Sequence, residues 1–346
     1  MHSKNSLPER YKINKISEIS KDQLSSFYKR VYNKRYKSLV NNWRWWYRAE
    51  RSEFETLVLS IEDKIIGQAG VLPIDLKVGR NQIPAIWFVD FVIIPEFQGK
   101  GFGQILTKEW MKICPNQITF CNNQSLKIFK KFGWKNNLST KRFLRPINFF
   151  KITPVTKKIK LDFADSVLRY FIKKKYNRNT LIKPHNIKNN FKIIQDSFKI
   201  RKTINNNHLA EIVRDEKWLY WRLIECPYNE DIFFFEYKNN FAIVHIFTIE
   251  KIKKVNILYT YFTDSSQENE LYILIVNWAI NNNIDLVWTI NKSQMFNNIF
   301  PKLYTRSVNF ASWSSNEEIF KILQNGLVDP QAIDSDIDSN LYVERK

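Results

Sequence analysis

The chain has 346 residues, 44% hydrophobic and 15% aromatic, which is enough apolar material for two packed domains and excludes a disordered chain. Its 54 Lys and Arg against 34 Asp and Glu leave a net charge of +20, so anionic partners are attracted rather than repelled. A transmembrane segment and a secretory leader are not expected, since no run approaches the roughly 18 apolar residues a membrane helix needs.

In chain order, the first expected element is a helix carrying Trp43-Arg44-Trp45-Trp46-Tyr47-Arg48. Two strands follow, over 55–60 and 65–71, separated by the polar turn Glu62-Asp63-Lys64. A third strand, over 86–94, is apolar except for Asp90 and runs into Pro95-Glu96-Phe97. Then comes Gln98-Gly99-Lys100-Gly101-Phe102-Gly103, three glycines in five residues ahead of an amphipathic helix over 104–113. Backbone N–H groups gathered at a helix N-terminus present about half a unit of positive charge to an anion. Glycine lets that backbone come close to a phosphate. The motif therefore reads as a diphosphate cradle. It is no P-loop, because no Lys-Ser/Thr follows the glycines. The acid that a dinucleotide site needs roughly 20 residues on is missing from 117–123.

The order Q-x-x-G-x-G, preceded by Asp90-Phe91-Val92-Ile93-Ile94-Pro95-Glu96-Phe97, resembles the acyl-CoA loop and fourth strand of the GNAT N-acyltransferase superfamily. The resemblance implies that the main chain of Phe91, Val92 and Ile93 pairs with pantetheine. It also implies that Gln98, Gly99, Lys100, Gly101, Phe102 and Gly103 hold the diphosphate, with Lys100 adding charge at the rim. Asn122, after a fifth strand over 118–121, stands where the family often contacts the cofactor. Lys127-Ile128-Phe129-Lys130-Lys131-Phe132-Gly133-Trp134 resembles the family's x-x-Y-x-x-x-G-F, with Phe129 where many members carry the tyrosine that protonates the leaving thiolate. Asp90, the carboxylate of the fourth strand, is the candidate catalytic base or ligand of the substrate amine, because an amine must be neutral to attack. Glu96 reads as structural.

A second copy follows. Trp218-Leu219-Tyr220-Trp221-Arg222 repeats W-x-x-W at an offset of 175 residues, ahead of strands over 231–236, 241–247 and 255–263. A helix over 267–281, a strand over 284–290 and a helix-like segment over 293–303 complete it. In place of the glycine turn stands Asp264-Ser265-Ser266-Gln267-Glu268-Asn269-Glu270, whose acids would repel a diphosphate. Only the first copy is expected to bind a nucleotide thioester.

Between the copies, residues 151–202 carry fifteen Lys and Arg against three Asp, a net of +12. Leu161, Ala164, Leu168 and Phe171 fall on one face of a helix there, ended by Lys173-Lys174-Lys175. That face reads as packed on a domain, with the lysines complementing the helix dipole. A functional reading is contact with an anionic surface or a nucleic acid. The tryptophans of the two W-x-x-W motifs read first as core packing, and stacking on an acceptor sugar is the functional alternative. The cysteines Cys114, Cys121 and Cys226 have no CxxC spacing, consistent with a reduced, cytoplasmic setting. The scattered His2, His185, His208 and His245 give no metal spacing, and the acidic tail 334–338 lacks the EF-hand glycine, so no metal is expected.

The expected fold is α+β, two GNAT-like domains, each a mixed, mostly antiparallel sheet flanked by helices. Residues 1–150 form the acyl-CoA-binding domain, 151–202 a basic linker with one helix, and 203–346 a degenerate GNAT-like domain. The expected activity is transfer of an acyl group, in the first instance from acetyl-CoA but equally from another acyl-CoA, to a small-molecule amine such as an amino sugar or nucleotide-linked amine. Two other classes fit the residues: a Fem-like aminoacyltransferase using aminoacyl-tRNA, and a non-catalytic acyl-CoA-binding module.

Overall fold

The computed structural model describes residues 10–32, 35–51, 53–152, 182–196, 210–249, 251–262, 265–291, 305–325 and 330–334, together with 167, 170–174 and 176. Strand β1 (Lys12–Lys15) leads into helices α1 (Lys21–Tyr32) and α2 (Tyr36–Trp46). Strands β2 (Leu57–Ile61), β3 (Lys64–Val78) and β4 (Asn81–Ile93) form an antiparallel meander. Its first turn places Glu62 and Asp63 at positive φ, as a two-residue hairpin demands. Helix α3 (Phe102–Met111), strand β5 (Asn116–Cys121) and helix α4 (Asn123–Lys131) follow, then β6 (Lys135–Asn137) and β7 (Lys141–Pro146).

The second half repeats this order. Strands β8 (His185–Asn186) and β9 (Ala210–Ile212) and helix α5 (Glu216–Leu223) precede a meander of β10 (Ile232–Tyr237), β11 (Asn240–Ile249) and β12 (Ile252–Tyr261). Helix α6 (Ser265–Asn281), β13 (Leu286–Asn291), β14 (Thr305–Ser307), β15 (Asn309–Ser314) and helix α7 (Glu317–Gln324) complete it. The segment expected as a helix over 293–303 lies outside the described residues.

Strand order in the first sheet is β1-β2-β3-β4-β5-β15-β6, with β9 against β3, and in the second β14-β7-β13-β12-β11-β10-β8. The parallel neighbours β4/β5 and β12/β13 are joined through α3 and α6, the crossover that a parallel pair requires. Two strands trade places. From the first half, β7 pairs β13 along its whole length; from the second, β15 inserts between β5 and β6. With β9 also lying against β3, three strands cross the division at 150 and 203 in space, and neither sheet is completed by its own segment.

The halves also share one core. It runs from Tyr28, Leu39 and Trp46 through Val71, Trp87 and Phe88 to Trp218, Trp221 and Ile333. A second core, on the far face of the second sheet, holds α6 against β11 and β12 with Phe143 of β7. At the junction the Trp45 and Trp221 rings stack at 5.6 Å and 29°, and their hydrogen bonds are reciprocal. Trp45 Nε1 donates to the Trp221 carbonyl (2.8 Å), and Trp221 Nε1 donates to the Trp45 carbonyl (2.9 Å). This pair is 176 residues apart, and the hairpin residues Glu62 and Asp63 recur at the same interval as Lys238 and Asn239, all at positive φ. At the junction and the first hairpin the interval is therefore 176, one residue off the W-x-x-W spacing, and the tryptophans pack the junction.

Candidate active site

Strands β4 and β5 run parallel and touch through only two residue pairs, Ile86 with Gln117 and Trp87 with Ile118. Beyond them the strands part. A bulge causes the divergence: Gly70 pairs with Val89 and Gln68 with Val92, so Asp90 and Phe91 together oppose Ala69. Asp90 takes φ +48°, a conformation few non-glycine residues adopt. Gly70 is required opposite it, because a Cβ there would meet the Val89 carbonyl oxygen at 2.6 Å. Thr119 secures the point of divergence by donating its hydroxyl to the Phe88 carbonyl (2.7 Å).

The opening is a cleft of about 360 Å³ lined by Tyr32, Phe88–Val92, Thr119–Asn122, Ser125 and Phe129. Along its β4 wall the backbone past Trp87 has no β5 neighbour, so its amide groups are available for an extended ligand to pair with. Strand β4 continues from the cleft wall into the turn that precedes α3. There Gly99 and Gly101 have φ +76° and +88°, and no side chain caps the first turn of α3. Within that turn Gln104 N donates to the Gly101 carbonyl (2.9 Å), while the N–H groups of Phe102 and Gly103 have no partner within the helix, the condition for binding an anion. A Cβ on Gly99 would meet nothing within 4 Å, whereas one on Gly103 would touch Ile128 and Phe91. Gly103 thus serves close packing of α3 on α4, and Gly99 and Gly101 serve the turn.

The remaining expected residues have specific duties. Gln98 donates its side-chain amide to the Ile93 carbonyl (2.8 Å) and so closes the turn from within. Lys100 Nζ lies 5.1 Å over the Phe97 ring, at the rim, and Phe102 is buried beneath the turn. Asn122 lines the cleft and accepts from Ser125 N (2.9 Å), capping α4. Phe129 is buried among Phe88, Phe91, Trp110 and Trp134. Glu96 pairs on the surface with Arg30.

Asp90 has partners the sequence does not announce. Arg35 Nη2 donates to both its oxygens (2.8 and 3.0 Å), and both side chains are nearly buried, at 9% and 5% exposure. The Tyr47 hydroxyl donates to Oδ2 (3.0 Å), Gln68 Nε2 donates to Tyr47 (2.7 Å), and Tyr28 donates to Gln68 (2.8 Å). Tyr32 reaches the Asp90 carbonyl at 3.4 Å. Burial pushes the Tyr28, Tyr32 and Tyr47 phenols well above their ordinary range, and the Asp90 carboxylate adds to the rise. They remain neutral hydrogen-bonding groups that fix the bulge. A lone carboxylate within an apolar strand signals that a cation must reach it; which cation depends on how α1 and α2 cross the sheet. Cys121, on the opposite wall, has its thiol pushed up to about 12 by burial, so it is not a nucleophile at neutral pH. Among the described residues no three His, Cys, Asp or Glu gather in a way that could hold a metal.

The corresponding gap in the second half is filled. Strand β12 pairs β13 from Lys254 to Ile257, with Thr289 donating to the Ile257 carbonyl (3.0 Å) as Thr119 does in the first half. Past Ile257 the next neighbour is a segment from near the end of the chain. Gln331 Oε1 accepts from Thr260 N (2.9 Å) and Gln331 Nε2 donates to Thr260 O (3.4 Å). The turn Ala332–Asp334 packs against both strands, with Ala332 and Ile333 buried. Arg214 clamps Asp334 through two bonds (2.7 and 2.5 Å), and Arg222 Nε donates to the Ile333 carbonyl (2.9 Å).

Residues 15–134 match the model of the acetyltransferase (GNAT) family. The comparison with curated proteins returned no match. Among solved structures, N-myristoyltransferase from Saccharomyces cerevisiae with bound myristoyl-CoA is similar, at 14% identity and TM-score 0.61, over 89% of this chain and 83% of that one. A GCN5-related N-acetyltransferase from Kribbella flavida aligns at 11% identity and TM-score 0.58, over 88% of this chain and 70% of that one. A third, a GCN5-related N-acetyltransferase from Anabaena variabilis, aligns at 14% and 0.55, over 89% and 73%. At such identities the likeness is one of fold. The family match over 15–134 and the fold shared with these solved structures make the first half of this chain similar to the acetyltransferase (GNAT) family, and the second half repeats the order of elements of the first.

Proposed function

We propose that the chain transfers an acyl group from acetyl-CoA to a small primary amine, using the cleft between β4 and β5. The observation that carries this reading is the open, unpaired edge of β4 leading into an uncapped glycine turn. In the proposed complex the pantetheine arm pairs with the main chain of Phe91, Val92 and Ile93. The diphosphate rests on the N–H groups of Gly99 to Gly103, with Lys100 at the rim. Asn122 contributes by fixing the start of α4 beside the arm.

The neutral amine nitrogen attacks the thioester carbonyl carbon, the C–S bond breaks, and the proton that the nitrogen sheds passes through water to the departing thiolate, because Phe129 has none to give. Holding the two reactants together supplies several kcal/mol of the barrier by itself. Asp90, with both oxygens engaged by Arg35 and Tyr47, is proposed to hold the bulge that presents the thioester and to draw the substrate's ammonium toward it. Amino sugars and nucleotide-linked amines are the acceptor classes to screen first.

Thermal denaturation with increasing acetyl-CoA tests the donor. A ligand that binds only the folded chain stabilises it by about 2.7 kcal/mol at a hundredfold excess over Kd. Saturable stabilisation, together with thiol release in the presence of one of the amines, supports the proposal. No stabilisation by acetyl-CoA or longer acyl-CoAs overturns it, and stabilisation without turnover on any amine favours a binding module.

A further inference from the structure

The basic segment between the halves carries an apolar patch that the fold leaves in water. Val167, Tyr170 and Phe171 are 40%, 64% and 61% exposed. All three are helical, and with Lys174 they stand at the spacing i, i+3, i+4 and i+7 that one face of a helix has. The Tyr170 and Phe171 rings contact each other at 5.8 Å and 75°. On the other side of this helix, Ile172 and Tyr176 are buried in the second core with Phe143, and Arg145 lies 4.9 Å over the Tyr176 ring. The expected orientation is thereby corrected: Ile172 and Tyr176 make the packing face and Phe171 points to solvent, because the second sheet offers its apolar surface at Phe143. Leu161, Ala164 and Leu168 lie outside the described residues.

The charge around the patch has one sign. Lys173 and Lys174 are exposed and, among the described residues, held in no ion pair. They sit within the stretch 151–202 whose net charge is +12. We infer that this helix face docks the protein on an anionic lipid surface, with Val167, Tyr170 and Phe171 at headgroup depth and the lysines against lipid phosphates. An apolar helix face rimmed by lysines is the arrangement that lies in a membrane interface. Tyrosine suits it because its ring is apolar and its hydroxyl wet. Lysines near an anionic leaflet are drawn to its phosphates, an attraction that salt weakens. A nucleic acid would use the lysines but gain nothing from Val167.

Sedimentation of the full chain with vesicles tests the inference. Binding to phosphatidylcholine vesicles containing phosphatidylglycerol is expected, with little to phosphatidylcholine alone and a marked loss on adding salt. Tyr170→Ser combined with Phe171→Ser is expected to weaken binding by about tenfold or more. Lys173→Gln with Lys174→Gln is expected to cost a similar factor. Unchanged Tm in both variants confirms that the fold is intact. The inference is overturned by absent binding to the anionic vesicles, or by binding that the aromatic variant leaves unchanged. It is equally overturned if the chain binds a labelled RNA and no vesicle, or if the patch serves a dimer that the aromatic variant dissolves.

Discussion

The two parallel strand pairs start from the same design and end differently. In each, a threonine of the later strand bonds to a carbonyl of the earlier one where the strands begin to separate. Between β4 and β5 the gap stays open and meets a glycine turn. Between β12 and β13 the chain fills it with Gln331, Ala332, Ile333 and Asp334, and the Gln331 amide offers Thr260 a donor and an acceptor as a neighbouring strand would. Diverging strands leave backbone groups that need partners, and an occupant from elsewhere can satisfy them. One gap stands open, where the proposed cofactor would lie; the other is occupied by the protein itself. A doubled fold can therefore present an open edge in one copy and a filled one in the other.

Breaking the second filling should have the largest effect on stability. Asp334→Ala leaves the buried Arg214 guanidinium without its carboxylate, a change that typically costs about 3–5 kcal/mol. Denaturant unfolding should show that loss, while affinity for acetyl-CoA in the first gap stays within about twofold, as expected for distant sites. Breaking the first gap should do the reverse. Gly101→Asp sets a negative charge and a Cβ at φ +88° on the proposed cradle, and we expect Kd for acetyl-CoA to rise about a hundredfold, some 2.7 kcal/mol. Its cost to stability should be the smaller, about 1–2 kcal/mol for a left-handed residue other than glycine.

Asn122→Ala sharpens the contrast by separating capping from contact. Loss of the cap on α4 should cost about 1 kcal/mol in unfolding experiments, and any fall in cofactor affinity beyond that local effect would mark a direct contact. The smallest effect is expected at Cys121. Its thiol, at about 12 in the folded chain, ionises near 8.5 when unfolded. Its contribution to stability is therefore complete below about pH 8.5 and declines as pH rises toward 12. Thiol-reagent labelling near neutral pH should be slow in the native state and fast in denaturant.

Much of the first half is legible in the sequence because the signals are local. The strand over 86–94, the glycine turn and the following helix appear as β4, the turn at Gly99 and Gly101, and α3. The second meander is equally plain, since its hairpin turn at Lys238 and Asn239 has the polar residues such turns use. Three features are not legible, each because it depends on distant pairing. The exchange of β7 and β15 involves strands of six residues whose apolar faces would suit either sheet. Arg35 lies 55 residues from Asp90 and nothing local links them. Gln331 stands 71 residues from Thr260, in a segment whose acids look like a polar tail until Asp334 is seen bonded to Arg214. The W-x-x-W offset of 175 differs by one from the spatial interval at the hairpin for a related reason. The aromatic residues answer to the junction they pack, whereas the hairpins keep the interval of 176.

Amide hydrogen exchange with and without acetyl-CoA sets the two gaps against each other most directly. Slower exchange is expected at Phe91 to Ile93 and at Gly99 to Gly103, with no change at Leu258 to Tyr261. Protection at Leu258 to Tyr261, or none at the glycine turn under saturating ligand, would contradict that expectation.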